Sequence, residues 1–286
     1  MKAGIVDNTM ASPSVLVTGC NGYVATHTIK SLRNTFDFVG IDLAPGGNET
    51  VLVDLRDYSS LDTLDNHDFS YVVHTAWDQT SNNIYKNNIN SSGNLLSYLA
   101  RRKIRGLIFI SSSYVSTTAH IQYTRSKIEV ENMIFDSGMP FVIIRPDMLY
   151  SPAEKKMQEQ LAYMKKGFAI CIGTGRSLRT PTHINDLTEL IKRIITADMF
   201  TNKVYEIGSP ISYSQEQILK IVAAHADLKP LIIKIPTFVA RVLFNITKKV
   251  DPEQAQTINY DRVADLRALQ ADFDLQPVDF TNGITK

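Results

Sequence analysis

The stretch that most constrains this chain is Val15-Leu16-Val17-Thr18-Gly19-Cys20-Asn21-Gly22-Tyr23-Val24-Ala25. A short apolar run ends in Thr-Gly, a second glycine follows shortly after, and then an amphipathic segment begins. The pattern reads as a buried strand, a tight turn, and a helix whose N-terminus stays open to an anion. Gly19 permits the turn, and Gly22 lets backbone N–H groups approach a pyrophosphate with no Cβ in the way. Ala25 stands where the usual third glycine allows close helix–strand packing. Asn21, Tyr23 and Val24, set around the same turn, are expected to meet the dinucleotide with the two glycines. Asp42 ends the next apolar run, Phe38-Val39-Gly40-Ile41, where an acidic residue would reach an adenosine ribose 2′-OH. Its carboxylate repels a 2′-phosphate, and Leu43-Ala44-Pro45-Gly46 carries no Arg or Lys to welcome one. The expected cofactor is NAD rather than NADP.

The strand-then-helix pattern repeats. Further strands are expected at 51–53, 71–73, 107–110 and 141–144, with helices near 87–101 and 123–136. Short continuous apolar runs alternating with helical periods imply an α/β fold. Its sheet should be Rossmann-type, doubly wound and mostly parallel, with ligands at the carboxyl edge. Beyond Pro152 the spacing predicts helices near 153–165, 185–197, 214–224, 237–246 and 260–270, and a strand at 203–207. Residues 1–150 are expected to form the NAD-binding domain, joined by returning segments near 172–207. Residues 151–286 are expected to form mainly a smaller α/β substrate lobe.

Charge and cysteine usage exclude several classes. The formal net charge is +1 and no long basic run appears, which gives nucleic acid no electrostatic foothold. The two cysteines, Cys20 and Cys171, lack metal-ligand spacing, so no metal and a reducing, cytoplasmic setting are expected. The polar N-terminus, 1–13, has no signal-peptide pattern. Leu231 to Phe244 is the longest apolar stretch, and Lys234, Pro236 and Arg241 interrupt it. It is too short and too charged to span a bilayer, and its spacing reads as the core face of a helix.

Tyr123-Thr124-Arg125-Ser126-Lys127 puts a phenol and an ammonium one helical turn apart, on a shared face. A nearby Lys⁺ favours tyrosinate, which is expected to bring the Tyr123 pKa down toward working pH. The preceding strand end, Ser111-Ser112-Ser113, offers hydroxyls to bind the oxygen of a reacting carbon. His183 stands alone and reads as a structural hydrogen-bonding group. Trp77 suits either stacking on a substrate ring or packing in the core.

In these residues the chain resembles an extended short-chain dehydrogenase/reductase of the NAD-dependent epimerase/dehydratase type. Thr18-Gly19-x-x-Gly22-x-x-Ala25 resembles the family's cofactor loop, and Asp54-Leu55 the pair that touches adenine. His74-Thr75-Ala76, followed by Trp77, resembles the strand-end loop lying against the cofactor. Asn88-Ile89-Asn90-Ser91-Ser92-Gly93-Asn94-Leu95-Leu96 resembles a family helix whose first asparagine, here Asn88, lies near the nicotinamide ribose. Arg145-Pro146-Asp147-Met148-Leu149-Tyr150-Ser151-Pro152 resembles the stretch near the nicotinamide amide, which implies Pro146 and Met148 as contacts.

The resemblance implies hydride transfer between a secondary alcohol or ketone and nicotinamide. Tyr123 would exchange the hydroxyl proton, Lys127 would hold the nicotinamide ribose, and Ser112 would orient the oxygen, with Ser113 as its alternative. Gly173-Thr174-Gly175, Arg179 and His183-Ile184-Asn185-Asp186 resemble the following family segment. There the arginine in Arg179's place binds substrate phosphate, and Arg176 lies close by in sequence. The loop 114–122 is shorter than in sugar-nucleotide epimerases, and the C-terminal part resembles atypical members that bind the nucleotide without turnover.

The resulting expectation is an NAD-dependent oxidoreductase or epimerase acting on a sugar, nucleotide-linked for preference. A non-catalytic nucleotide-binding sensor or accessory subunit is one alternative, and a reductase of an apolar ketone or alcohol is another. No membrane partner is expected, and a homodimer is, through the helices near 87–101 and 123–136.

Overall fold

The computed structural model describes residues 14–285 apart from 48, 80, 119–120, 241 and 243–256. Its first half alternates strand and helix: β1 (Ser14–Thr18), α1 (Tyr23–Leu32), β2 (Asp37–Asp42), β3 (Val51–Leu52) and β4 (Tyr71–His74). It continues through α2 (Ile84–Leu99), β5 (Gly106–Ile110), α3 (Gln122–Asp136) and β6 (Phe141–Pro146). Then come β7 (Leu149–Tyr150), α4 (Lys155–Lys165), β8 (Phe168–Ile172), β9 (Leu178–Arg179) and β10 (Thr182–His183). After α5 (Ile184–Ala197) and β11 (Lys203–Ile207) follow β12 (Tyr213–Ser214), α6 (Gln215–His225) and β13 (Leu231–Ile235).

Seven strands form one sheet in the order β11-β6-β5-β4-β1-β2-β3. Every pairing in it is parallel, as the continuous apolar runs predict. Successive strand residues face opposite sides, so each run feeds two cores. Val15, Val17, Ile108 and Ile144 pack with Ile29 and Leu32 of α1 and with Leu187, Ile191 and Ile194 of α5. Leu16, Val72, Leu107 and Ile143 pack on the other face with Leu95 and Leu99 of α2 and Val130 and Ile134 of α3. Each such side chain contributes roughly 1.5–3 kcal/mol. The strand order reverses between β1 and β4, and β1 is the strand that delivers the Thr18-Gly19 turn.

A smaller cluster holds Met157 and Met164 of α4, Ala169 and Cys171 of β8, and Leu219 and Val222 of α6. Here one expectation fails. Residues 231–235 are a strand, parallel to β8, with Leu231 70% and Ile233 42% exposed, and not the core face of a helix. Pro230 and Pro236 bracket this isoleucine-rich run, and Pro236 disfavours the helical region for Ile235. Of the helix expected over 237–246, residues 237–240 and 242 are helical, and 243–246 lie outside the described residues.

The helix expected over 260–270 forms only as Arg267–Phe273. Its first half is pinned against β9: Arg262 N–H donates to Leu178 O at 2.9 Å, and Leu178 N–H to Asp261 Oδ1 at 2.7 Å. Backbone committed to β9 is not available to a helix. Among the described residues, no helix is long and apolar enough to cross a membrane.

Candidate active site

A cleft of about 730 Å³ opens at the carboxyl ends of β1, β2, β4, β5 and β6. At its start Gly19 has φ +64°, and a Cβ there would lie 2.8 Å from Ala76 Cα. Both the conformation and the close approach require glycine. Gly22 caps α1 without a side-chain hydrogen bond, and the first turn carries no acidic residue. The positive end of the helix therefore faces the cleft, beside Gly19, Gly22, Tyr23 and Val24.

Asp42 accepts from Asn21 N–H at 3.0 Å with one oxygen and from Leu43 N–H at 2.7 Å with the other. It thus fastens the loops after β1 and β2 while lining the cleft, and a carboxylate keeps acceptor sites to spare for sugar hydroxyls. Asn21 is not in the cleft wall; its side chain donates to Ala44 O at 2.9 Å and braces the loop. Asp54 and Leu55 both line the cleft. Asp54 pairs with Arg56 at 2.7 Å, and that guanidinium holds its carboxyl below the usual range.

The strand-end loop is tied down by a relay. Thr18 Oγ1 accepts from Thr75 N–H at 3.1 Å and Ala76 N–H at 3.0 Å. With both lone pairs taken, its proton goes to His74 Nδ1 at 2.8 Å, so the ring carries its own proton on Nε2 and donates to Ser92 Oγ at 3.0 Å. His74 is 2% exposed, and burial, with the Lys127 charge, pushes its pKa down to about 3. Asn88 clamps the next residues, accepting from Asp78 N–H at 2.8 Å and donating to Asp78 O at 2.9 Å. Thr75, Ala76, Trp77 and Asn88 all line the cleft, as do Pro146 and Met148 across from them.

Ser112, Tyr123 and Lys127 converge on the inner end. Ser112 Oγ accepts from Tyr114 N–H at 3.3 Å, and its hydroxyl is close enough to Tyr123 to influence the phenol. Lys127 Nζ donates to Ile110 O at 2.7 Å and lies 3.5 Å from the centre of the Trp77 ring. Trp77 packs on Phe109, as one of the two expected roles has it, and walls the cleft over the ammonium.

The expected lowering of the Tyr123 pKa by Lys127 is not found. Burial pushes the phenol up to about 12, against the Ser112 hydroxyl, which lowers it. Lys127 Nζ is 6.0 Å from the Tyr123 ring centre, and burial depresses its own pKa well below the ordinary lysine value. Glu131, one turn further along α3, opposes that depression while bound to Ser111 and Arg145.

Three other expected residues lie outside the cleft wall. Ser113 donates to Asp147 Oδ1 at 2.9 Å and is buried behind it. Arg176 is exposed on the lobe. Arg179 is 5% exposed and donates to the carbonyls of Leu178 and Ile258 at 2.8 and 2.7 Å, and to that of Tyr260. It clamps the C-terminal segment to β9 and does not face a substrate phosphate. Burial, with the neighbouring Arg262 charge, lowers its pKa to about 10. His183 is structural in its visible bond, its Nδ1 capping α5 at Asn185 N–H, 3.2 Å. Among the described residues no cluster of His, Cys, Asp and Glu could hold a metal ion.

The model of the NAD dependent epimerase/dehydratase family matches residues 15–208. The chain belongs to that family. A curated relative, the UDP-glucose 4-epimerase of Vibrio cholerae, is 24% identical over 274 residues, covering 83% of each chain. Among solved structures, the Thermotoga maritima UDP-glucose 4-epimerase with UDP-glucose superposes with a TM-score of 0.74 at 16% identity, covering 94% of this chain and 96% of its own. The Bacillus cereus UDP-glucuronic acid 4-epimerase with NAD reaches 0.76 at 17% identity, covering 94% and 95%.

This epimerase/dehydratase family member is an enzyme whose cofactor is NAD. The residues fit that group: a glycine cradle that a Cβ would fill, an uncapped helix N-terminus, a carboxylate at the end of β2, and Trp77 Nε1 buried with no partner among the described residues.

The inner wall also contains residues that the sequence did not single out. Asp147 is 1% exposed and accepts from Ser113, Thr180 N–H and Arg262. Tyr114 meets the Tyr123 ring edge-on at 5.8 Å. Burial raises its pKa, but the Arg262 charge and hydrogen bonds from Thr257 and Arg262 carry it below the ordinary phenol. Asp147 sits inside a recognised motif, whereas nothing local marks Arg262, which joins it across 115 positions.

Proposed function

We propose that this enzyme moves hydride between NAD and a secondary alcohol or ketone of a nucleotide sugar, with epimerisation at that carbon as its overall reaction. One observation carries the reading: Ser112, Tyr123 and Lys127 line the same inner end of the cleft, with Lys127 buried one turn along α3 from Tyr123. Gly19, Gly22 and the α1 N-terminus hold the pyrophosphate, Asp42 the adenosine ribose, and Lys127 with Asn88 the inner ribose. When bound, NAD would supply the hydride acceptor and donor.

Ser112 donates to the substrate oxygen and fixes its position. Tyr123 takes the proton of that hydroxyl during oxidation and returns it during reduction. At neutral pH its raised pKa keeps it as the phenol, the form that protonates a ketone. The charge of Arg262, which lowers that pKa, favours the reverse transfer. Trp77 and Met148 wall the cleft and restrict water at the inner end.

The test is product analysis. Purified protein is incubated with NAD and either UDP-glucose or UDP-glucuronic acid, and the sugar proton signals are followed by NMR. Appearance of the 4-epimer supports the reading. No new sugar and no reduced cofactor with either compound would exclude it.

A further inference from the structure

Arg262 enters the inner end of the cleft from the C-terminal segment that Arg179 clamps to β9. Its Nε donates to Asp147 Oδ1 at 2.8 Å, and its guanidinium carbon lies 3.8 Å from the centre of the Tyr114 ring. The side chain is 6% exposed, yet Nη1 has no hydrogen-bond partner among the described residues. A buried guanidinium N–H without an acceptor is costly, and native proteins retain such groups where something else supplies the acceptor. Pairing with Asp147 accounts for the charge of Arg262 but not for its whole fork, because only Nε is committed to that carboxylate. Arg179 is close by but is committed to backbone carbonyls.

Position narrows the acceptor. Tyr114 lies between Arg262 and Tyr123, stacked under the guanidinium and edge-on to the Tyr123 ring. Arg262, Tyr114 and Tyr123 thus line the same end of the cleft, and the unpaired nitrogen belongs to the end where Tyr123 would act. A planar, permanently charged fork matches a planar two-oxygen anion better than it matches a lone hydroxyl.

We infer that Arg262 binds a carboxylate attached next to the reacting carbon of the substrate, which makes the substrate a nucleotide-linked hexuronic acid. The inference rests on the nucleotide-sugar reading above. In a hexuronic acid the carboxylate hangs on C5, beside C4, the carbon that 4-epimerases invert. A hexose with a hydroxymethyl there offers one weak acceptor and leaves the charged edge poorly paired, which is how the site discriminates.

The test compares kcat/KM for UDP-glucuronic acid and UDP-glucose in the wild-type enzyme and in Arg262→Lys. Lysine keeps a cation for Asp147 and removes the fork. The wild-type enzyme is expected to prefer UDP-glucuronic acid by at least about tenfold, and Arg262→Lys to erase about 30- to 100-fold of that ratio. Unchanged NAD affinity and melting temperature show that the variant folds; if it does not, the wild-type preference alone decides. A wild-type preference for UDP-glucose, or an equal loss on both sugars, would overturn the inference and leave the nucleotide-sugar reading intact. No turnover of either sugar by NAD-loaded wild-type enzyme would overturn that reading, and the inference with it.

Discussion

Mild acid is expected to destabilise this enzyme through one imidazole at the end of β4. His74 is buried and neutral, with its pKa pushed down to about 3 from 6.5. Protonation would put an N–H on Nδ1 against Thr18 Oγ1, whose lone pairs are already taken by Thr75 and Ala76 N–H. The folded pKa is depressed, so the contribution is fully present above 6.5 and is lost as pH falls toward 3. Between these limits each pH unit costs about 1.4 kcal/mol, which gives about 2 kcal/mol at pH 5 and about 3 kcal/mol at pH 4.

Carboxylates titrate in the same range, so the measurement is a difference. Urea denaturation is run from about pH 7.5 to 4 on the wild type and on His74→Gln, whose amide accepts from Thr18 and donates to Ser92 but does not ionise. The wild type should lose about 2 kcal/mol more than the variant by pH 5. Parallel curves for the two proteins would refute the buried neutral imidazole.

Other outcomes follow from the cofactor end of the cleft and from the clamp on β9. Asp42→Ala should shift the ratio of NAD⁺ to NADP⁺ affinity by at least about tenfold toward NADP⁺, measured by calorimetric titration; an unchanged ratio would contradict its place at the ribose. Gly19→Ala must adopt φ +64° and push on Ala76, so about 1–2 kcal/mol of backbone strain should appear as a lower melting temperature with weakened NAD binding. Arg179→Met leaves the Tyr260 carbonyl without its donor, while the Ile258 carbonyl keeps that of Ser177, and should destabilise by about 1–2 kcal/mol. A raised KM with unchanged stability would instead return Arg179 to the substrate.

The sheet was legible because a parallel strand buried on both faces is written as a continuous apolar run. Val15 to Val17, Tyr71 to Val73 and Phe141 to Ile144 are such runs, and each meets both cores. Gly19 and Asp42 were legible for a related reason: a tight turn and a strand end each demand a particular residue type at one position. The lobe was harder to read. Its strands Phe168–Ile172 and Leu231–Ile235 pair with each other outside the main sheet and leave apolar side chains exposed, so burial on both faces does not mark them.

The failure over 260–270 has a tertiary cause. Helical spacing was present, but Leu178 and Arg179 on β9 captured the backbone of Tyr260 to Arg262. Arg262 was missed for the same reason, since its meaning depends on Asp147 and Tyr114, remote in sequence. The pKa of Tyr123 was misjudged because helical spacing shows that Lys127 shares its face but not that the ammonium turns to Trp77 and Ile110 O.

The central claim is that Tyr123 handles the proton of the reacting oxygen while contributing little to holding NAD. Stopped-flow absorbance at 340 nm tests it directly, with NAD-loaded wild type and Tyr123→Phe mixed with UDP-glucuronic acid. The wild type should develop reduced cofactor, and the variant should do so at least about a hundredfold more slowly, with NAD affinity within about threefold of the wild type. A variant that reduces its cofactor at the wild-type rate would contradict the account.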